Sequence, residues 1–167
     1  YKFPVIAMIY GHCAGAGMEL AVSCDIRIAA HNSLFMMPPA KLGVLYSYHG
    51  TQKLIDLVGL GNTCEIFFTG RRFDAQRAKE ISLVNHVVNV EELETFTYQM
   101  AEEISGNAPL TLMATKKIIG RCLKYRIMPP EVLQEIGDVT RIIFNSEDVK
   151  EGQKSFAEKR KPEFKGR

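Results

Sequence analysis

Short apolar runs broken by glycine fill residues 1–88, and a wider, helical spacing of apolar positions takes over from Glu91. Val5, Ile6, Met8 and Ile9 form a run of strand length, so a buried strand is expected there. Gly11, Gly15 and Gly17 follow and release the backbone. Met18 to Ala21 are good helix formers, which places a helix start near Ala16. Asp25–Ala30 reads as a strand, His31-Asn32-Ser33 as a turn and Leu34-Phe35-Met36 as the next strand. Pro38-Pro39 is expected to stop any regular element, and Lys41–Gly50 to form a loop with a short extended piece.

Thr51–Val58 carries leucine and isoleucine at helical spacing, closed by Gly59 and Gly61. Asn62 with Glu65 three residues on has the form of a capping box opening a helix through Phe68. Gly70-Arg71-Arg72 reads as a turn, Asp74 as the cap of a helix over 75–81, and Val84–Val88 as a strand. Leu93, Phe96, Met100 and Ile104 share one helix face that ends at Gly106. Pro109 can start the next helix, to about Lys124, with Leu112, Ile119 and Leu123 inward. Pro129-Pro130 separates it from a third helix to Phe144, and Ser146 can cap a last one. Two regions are therefore expected, an α/β part over 1–88 and a helical part over 89–167.

The 167 residues are 46% apolar and 24% charged, the balance of an ordinary globular protein with a sizeable core. No apolar run is long enough to span a membrane, and no signal peptide is recognisable. A net charge of +2 is too small to point to nucleic acid. Cys13, Cys24, Cys64 and Cys122 show no CxxC spacing, so neither a metal site nor a disulfide framework is expected. Free thiols in a reducing, cytoplasmic setting are the expectation.

The glycine-rich turn is the first place where chemistry can sit. A helix starting near Ala16 aims its unpaired N–H groups, and the positive end of its dipole, into that turn. Such a place suits an anion or a developing oxyanion, and Glu19 lies about one turn further on. Gly15-Ala16-Gly17 runs on to Leu20 and not to a third glycine, which argues against a dinucleotide fingerprint. A tight turn that only packs a helix on a strand stays open as the plain alternative. His12-Cys13 lacks an orienting partner for a thiol nucleophile, and Ser47 with His49 lacks a GxSxG context. His31 and His86 read as turn and surface residues.

The segment PVIAMIYGHCAGAGMELAVSCDIRIAA resembles the signature of the crotonase (enoyl-CoA hydratase/isomerase) superfamily. The resemblance continues through LFMMPPAKLGVLYSYHGTQKL, FTGRRFDAQRAKEISLVNHVV and the FAEKRKPEFKGR tail. It implies an α/β fold, a spiral of ββα units followed by a helical C-terminal region that joins trimers or dimers of trimers. It also implies that the chain is the C-terminal part of a longer polypeptide, whose earlier part supplies one of two oxyanion-hole donors.

Site roles follow from the resemblance, position by position. The N–H of Ala16, next to Gly15, matches the other oxyanion donor, which would hold a thioester oxygen as it becomes an enolate. Glu19 matches one of the two glutamates that hydratases of the family use for acid–base work. The second falls at Pro39, which cannot transfer a proton. The stretch LGVLYSYHG is similar to the methylmalonyl-CoA decarboxylase branch, where a tyrosine at the Tyr46 position contacts the substrate carboxylate. Leu45 and Tyr48 flank it as substrate-contacting candidates, while Pro38 departs from the hydroxyl-bearing residue expected beside the carboxylate. Phe156 and Lys159 match positions that contact the adenine and phosphates of coenzyme A. The implied activity is decarboxylation of a malonyl-type acyl-CoA with no metal or redox cofactor. A hydratase or isomerase, or a non-catalytic CoA-binding relative, are the alternatives.

Overall fold

In the computed structural model, the order strand, strand, helix occurs twice in succession. The first unit of this kind is β1 (Ile6–Ile9), β2 (His12–Ala14) and α1 (Ala16–Ser23). The second is β3 (Ile26–Ala30) and β4 (Leu34–Met36), followed by the short α2 (Pro39–Leu42) and the long α3 (Tyr48–Thr69). Then come β5 (Phe73–Asp74), α4 (Ala75–Glu80), β6 (His86–Val88), a 3-10 turn (Val90–Glu92), α5 (Leu93–Ser105) and α6 (Glu147–Ala157). The structure describes residues 1–106, 112, 115, 116, 119, 120, 123, 134, 138, 141, 144–160, 162 and 163. The expected helix start at Pro109, the Pro129-Pro130 break and Cys122 lie outside the described residues.

The chain packs as two compact units, each built from two stretches of sequence. One comprises Tyr1–Phe35 with Phe73–Ile127, the other Met36–Arg72 with Met128–Arg167. The two ββα repeats give their leading strands to one sheet, which β6 completes in the order β1-β3-β6, and their second strands to another, which β5 completes in the order β2-β4-β5. The β1–β3 pair is parallel, with Ile6 opposite Ile26 and Ile9 opposite Ala29, and β6 joins β3 in parallel with His86 opposite Ile28. The β4–β5 pair is antiparallel, and its Phe35 and Phe73 rings stack at 5.7 Å. Buried Ile28, Ala30 and Leu93 form the core beside α5, with Phe96 and Met100 packed on it as the helical spacing implies.

Arg27, on the central strand, is only 3% exposed. Its Nε donates to the Leu83 carbonyl at 2.8 Å, Nη1 to the Cys24 carbonyl at 2.6 Å and Nη2 to Asn85 Oδ1 at 3.3 Å. The Arg27 N–H also donates to Asn85 Oδ1, and the Asn85 N–H returns a bond to the Arg27 carbonyl, both at 2.8 Å. Burial lowers the guanidinium below its ordinary pKa, so these acceptors keep the charge tolerable there.

Several expectations need correction. Met8 is 48% exposed, and only Ile9 of β1 is buried, so this strand is not the fully buried one its apolar run implied. Gly11 and Gly15 take positive φ, but Gly17 is an ordinary helical residue of α1. Pro39 starts α2 where a stop was expected, because proline's missing N–H costs nothing at the first helical position. Residues 41–50 are not all loop, since α3 begins at Tyr48 with Ser47 as its cap. Within α3 the chain breaks at Gly59, at φ 78° and ψ 166°. Asn62 does not open a new helix there; its Nδ2 donates back to the Val58 carbonyl, as Thr63 Oγ1 does to that of Gly59, both at 2.8 Å. Ile119 and Leu123, expected inward, are each more than half exposed. His86 is half-buried, with its ring packed on Phe96 at 5.2 Å. The caps at Asp74 and Ser146 form as expected, accepting from the N–H groups of Arg77 and Val149.

In the second unit α6 packs on α2 through Gly152. A Cβ built on Gly152 would overlap the Leu42 carbonyl, so here glycine is required by space and not by dihedral angle. Gly152→Ala is expected to cost about 1–3 kcal/mol, the usual penalty for overpacking against rigid backbone. Chemical denaturation of the two proteins measures this, and an unchanged midpoint would contradict the contact.

Candidate active site

The turn before α1 is set by Gly15, at φ 53° and ψ −120°. A Cβ there would meet nothing within 4 Å, so the residue is demanded by the backbone angle alone. Helical bonding begins with the Glu19 N–H, which donates to the Gly15 carbonyl at 3.0 Å. The N–H groups of Ala16, Gly17 and Met18 thus precede the first helical bond, at the positive end of the helix. Ala16 and Gly17 are exposed, Met18 is buried and Glu19 is half-buried. Gly15, Ala16 and Glu19 all belong to the first unit. Next to them Cys13 is buried, and burial pushes its thiol up to about 11, which removes it as a nucleophile near neutral pH.

Tyr46 and Leu45 belong to the second unit, where they line an apolar cavity of about 390 Å³. The Tyr46 ring is half-buried and leans on Phe67 at 5.5 Å with a tilt of 54°. Pro39, at the first position of α2, lines the same cavity. In the sequence Pro39 reads as a stop and, by resemblance, as a missing acid; in the structure it is part of the wall. Sequence reasoning missed Thr51, Ile55, Thr63, Cys64 and Phe67 on that wall. The available signal was helical spacing on either side of the Gly59 break, Thr51 to Ile55 before it and Thr63 or Cys64 to Phe67 after it. Tyr48 is not among the lining residues and sets its ring edgewise on His49 at 5.3 Å. Ser47 Oγ accepts from the Gly50 N–H at 3.0 Å, so Ser47 and His49 form a helix start and not a catalytic pair.

The tail after α6 is pinned by charge. Arg160 donates two bonds to Glu151, at 2.6 and 3.0 Å, and one to Glu158 at 2.7 Å, while the Glu163 N–H also donates to Glu151. Within this knot Lys159 takes a left-handed φ of 52°. Phe156 is 73% exposed and Lys159 is exposed one turn away, so both are available to a ligand. Among the described residues no His, Cys, Asp or Glu cluster is placed to hold a metal ion, and no helix is long and apolar enough to cross a membrane.

The Enoyl-CoA hydratase/isomerase family model matches residues 1–167. This chain belongs to that family. Methylmalonyl-CoA decarboxylase of Escherichia coli is 40% identical over 163 residues, covering 98% of this chain and 62% of the relative. A short-chain-enoyl-CoA hydratase of Clostridium acetobutylicum is 39% identical over 165 residues, again covering 98% and 62%. A crystal structure of methylmalonyl-CoA decarboxylase superposes with a TM-score of 0.93 at 40% identity, covering 98% of this chain and 64% of that one. The chain thus spans less than two thirds of the length of these relatives. The fold class is α/β, the ββα units of a crotonase-like spiral followed by a helical C-terminal region.

The pinned tail yields a titration. The hydrogen bonds from Arg160, with that from Glu163, hold the Glu151 carboxyl at about 2, below its ordinary 4.5. Since the folded value is the lower one, the contact stabilises fully above 4.5 and is lost as pH falls through 2. The Glu151 carboxyl followed by NMR is expected to titrate near 2, and Arg160→Gln to return it toward 4.5. A midpoint already near 4.5 in the unaltered protein would contradict the knot.

Proposed function

We propose that this family member is an acyl-CoA enzyme that decarboxylates methylmalonyl-CoA or a similar malonyl-type thioester. One observation carries the proposal: Tyr46 and Pro39 line one apolar cavity. The position that matches a hydratase's second glutamate is therefore a buried proline, beside the ring that matches the carboxylate-contacting tyrosine. Water addition needs an acid and a base, whereas loss of CO₂ needs neither at that point. It needs the carboxylate held out of the thioester plane, with little water around it.

In the proposed reaction the Tyr46 hydroxyl donates to the substrate carboxylate and fixes its orientation. The bond between that carboxylate and the α-carbon breaks, and CO₂ leaves. The electron pair stays on the α-carbon and spreads onto the thioester oxygen. The Ala16 N–H, one of two oxyanion donors by resemblance, stabilises that oxygen. The α-carbon then takes a proton from water. Gly15 sets the turn that presents this donor, and Leu45 supplies apolar wall. Tyr48 is proposed as a further substrate contact only by its place in the motif.

Phe156 and Lys159 are proposed to hold the adenine and phosphates of coenzyme A, a ring face and an ammonium suiting a nucleotide. The helical part over 89–167 is proposed to form a homotrimer or a dimer of trimers; exposed Ile119 and Leu123 support an apolar interface there. Free Cys13, Cys24 and Cys64 support a reducing, cytoplasmic setting. A hydratase is the second reading, favoured by half-buried Glu19 in the first turn of α1.

Tyr46→Phe keeps the ring packing on Phe67 and removes only the hydroxyl. In the intact gene product it is expected to lower kcat/KM for CO₂ release from methylmalonyl-CoA by roughly 100-fold, the cost of a misplaced reacting group. Release at the unaltered rate would remove Tyr46 from the reaction.

A further inference from the structure

We infer that the cavity beside Tyr46 is an alkyl-chain pocket, and that the preferred substrate is a 2-alkylmalonyl thioester whose chain is longer than methyl. The inference rests on the decarboxylase reading of Tyr46 and extends it to the acyl group.

Size is the first argument. The cavity holds about 390 Å³, within the range of small-ligand sites. A group of water or methyl size occupies about 30 Å³, so a lone methyl substituent leaves most of the space unfilled. The cavity opens to solvent past exposed Leu60 and Phe68, so apolar wall left uncovered there faces water. At the same volume per group there is room for a chain of roughly three to six carbons.

Wall chemistry is the second argument. Ile55, Leu60, Phe67 and Phe68 are apolar, and none of the lining residues is charged. Both threonines on the wall spend their hydroxyl protons within the helix. Thr51 Oγ1 donates to the Ser47 carbonyl at 2.9 Å and Thr63 Oγ1 to the Gly59 carbonyl at 2.8 Å. A second carboxylate or a hydroxyl on the substituent would lose its water there without a charged partner. A saturated hydrocarbon chain loses nothing and gains about 0.8 kcal/mol for each methylene taken from water.

The test compares methylmalonyl-CoA with its n-propyl and n-butyl homologues, measuring CO₂ release by the intact gene product. The expected result is a kcat/KM for the butyl substrate at least about 10-fold above that for the methyl one, the low end of what added methylenes contribute in an apolar pocket. Cys64→Phe, which puts a ring into the cavity, is expected to cut that ratio by about the same factor. Circular dichroism checks its folding, and if it does not fold the chain-length series decides alone. Release that is equal for all three, or falls with chain length, overturns the pocket while leaving the decarboxylase reading intact. No CO₂ from any of them overturns both.

Discussion

Arg27 carries a positive charge into the interior of the first unit, and that unit must answer each N–H it brings. The guanidinium reaches the carbonyls of Cys24 and Leu83 and the side chain of Asn85, segments that lie far apart in sequence. It sits on the central strand, so the same contacts fix β3 against the approach to β6. A hydrogen bond to a charged group is worth about 1.5–3 kcal/mol, and a buried charge without partners costs far more. Among the described residues every buried side-chain polar atom has a partner. The same contacts tie β3 to the segment that leads into β6, which pairs with it in the β1-β3-β6 sheet.

The two candidate regions, one in each unit, obey opposite constraints. At Gly15 the demand is for a dihedral angle that side chains resist, just ahead of the helix start whose N–H is the proposed oxyanion donor. Around Tyr46 the wall is apolar: Pro39, Leu45, Ile55 and Phe67 line the same cavity as the tyrosine, a setting that suits the proposed loss of CO₂. Pro39, which by resemblance stands where a hydratase carries its second glutamate, is also part of the cavity's apolar wall.

Much of this was legible in the sequence because local physics set it. The helix start at Ala16, the caps at Asp74 and Ser146, and the Leu93–Met100 face follow from dihedral preference, capping and periodicity. The motif around Gly15, Glu19 and Tyr46 was legible only through family resemblance, since spacing alone left a structural turn equally open. What escaped depended on contacts distant in sequence. Arg27 reads as a polar position in a strand until Leu83 and Asn85 are placed beside it. Gly152 reads as a weak point in a helix until Leu42 is found against it. Ile119 and Leu123 show that an apolar stripe says something must cover a face, but not what covers it.

The account turns on the missing acid at Pro39. If the apolar wall it forms defines the chemistry, the protein should release CO₂ and do little else to an acyl-CoA. The decisive measurement sets the intact gene product against methylmalonyl-CoA and crotonyl-CoA side by side, following CO₂ from one and hydration of the other. CO₂ release with hydration at least about 100-fold slower is the expected outcome, matching the loss of one general acid–base group. Hydration without CO₂ release would contradict the account and make Glu19 the centre of the reaction.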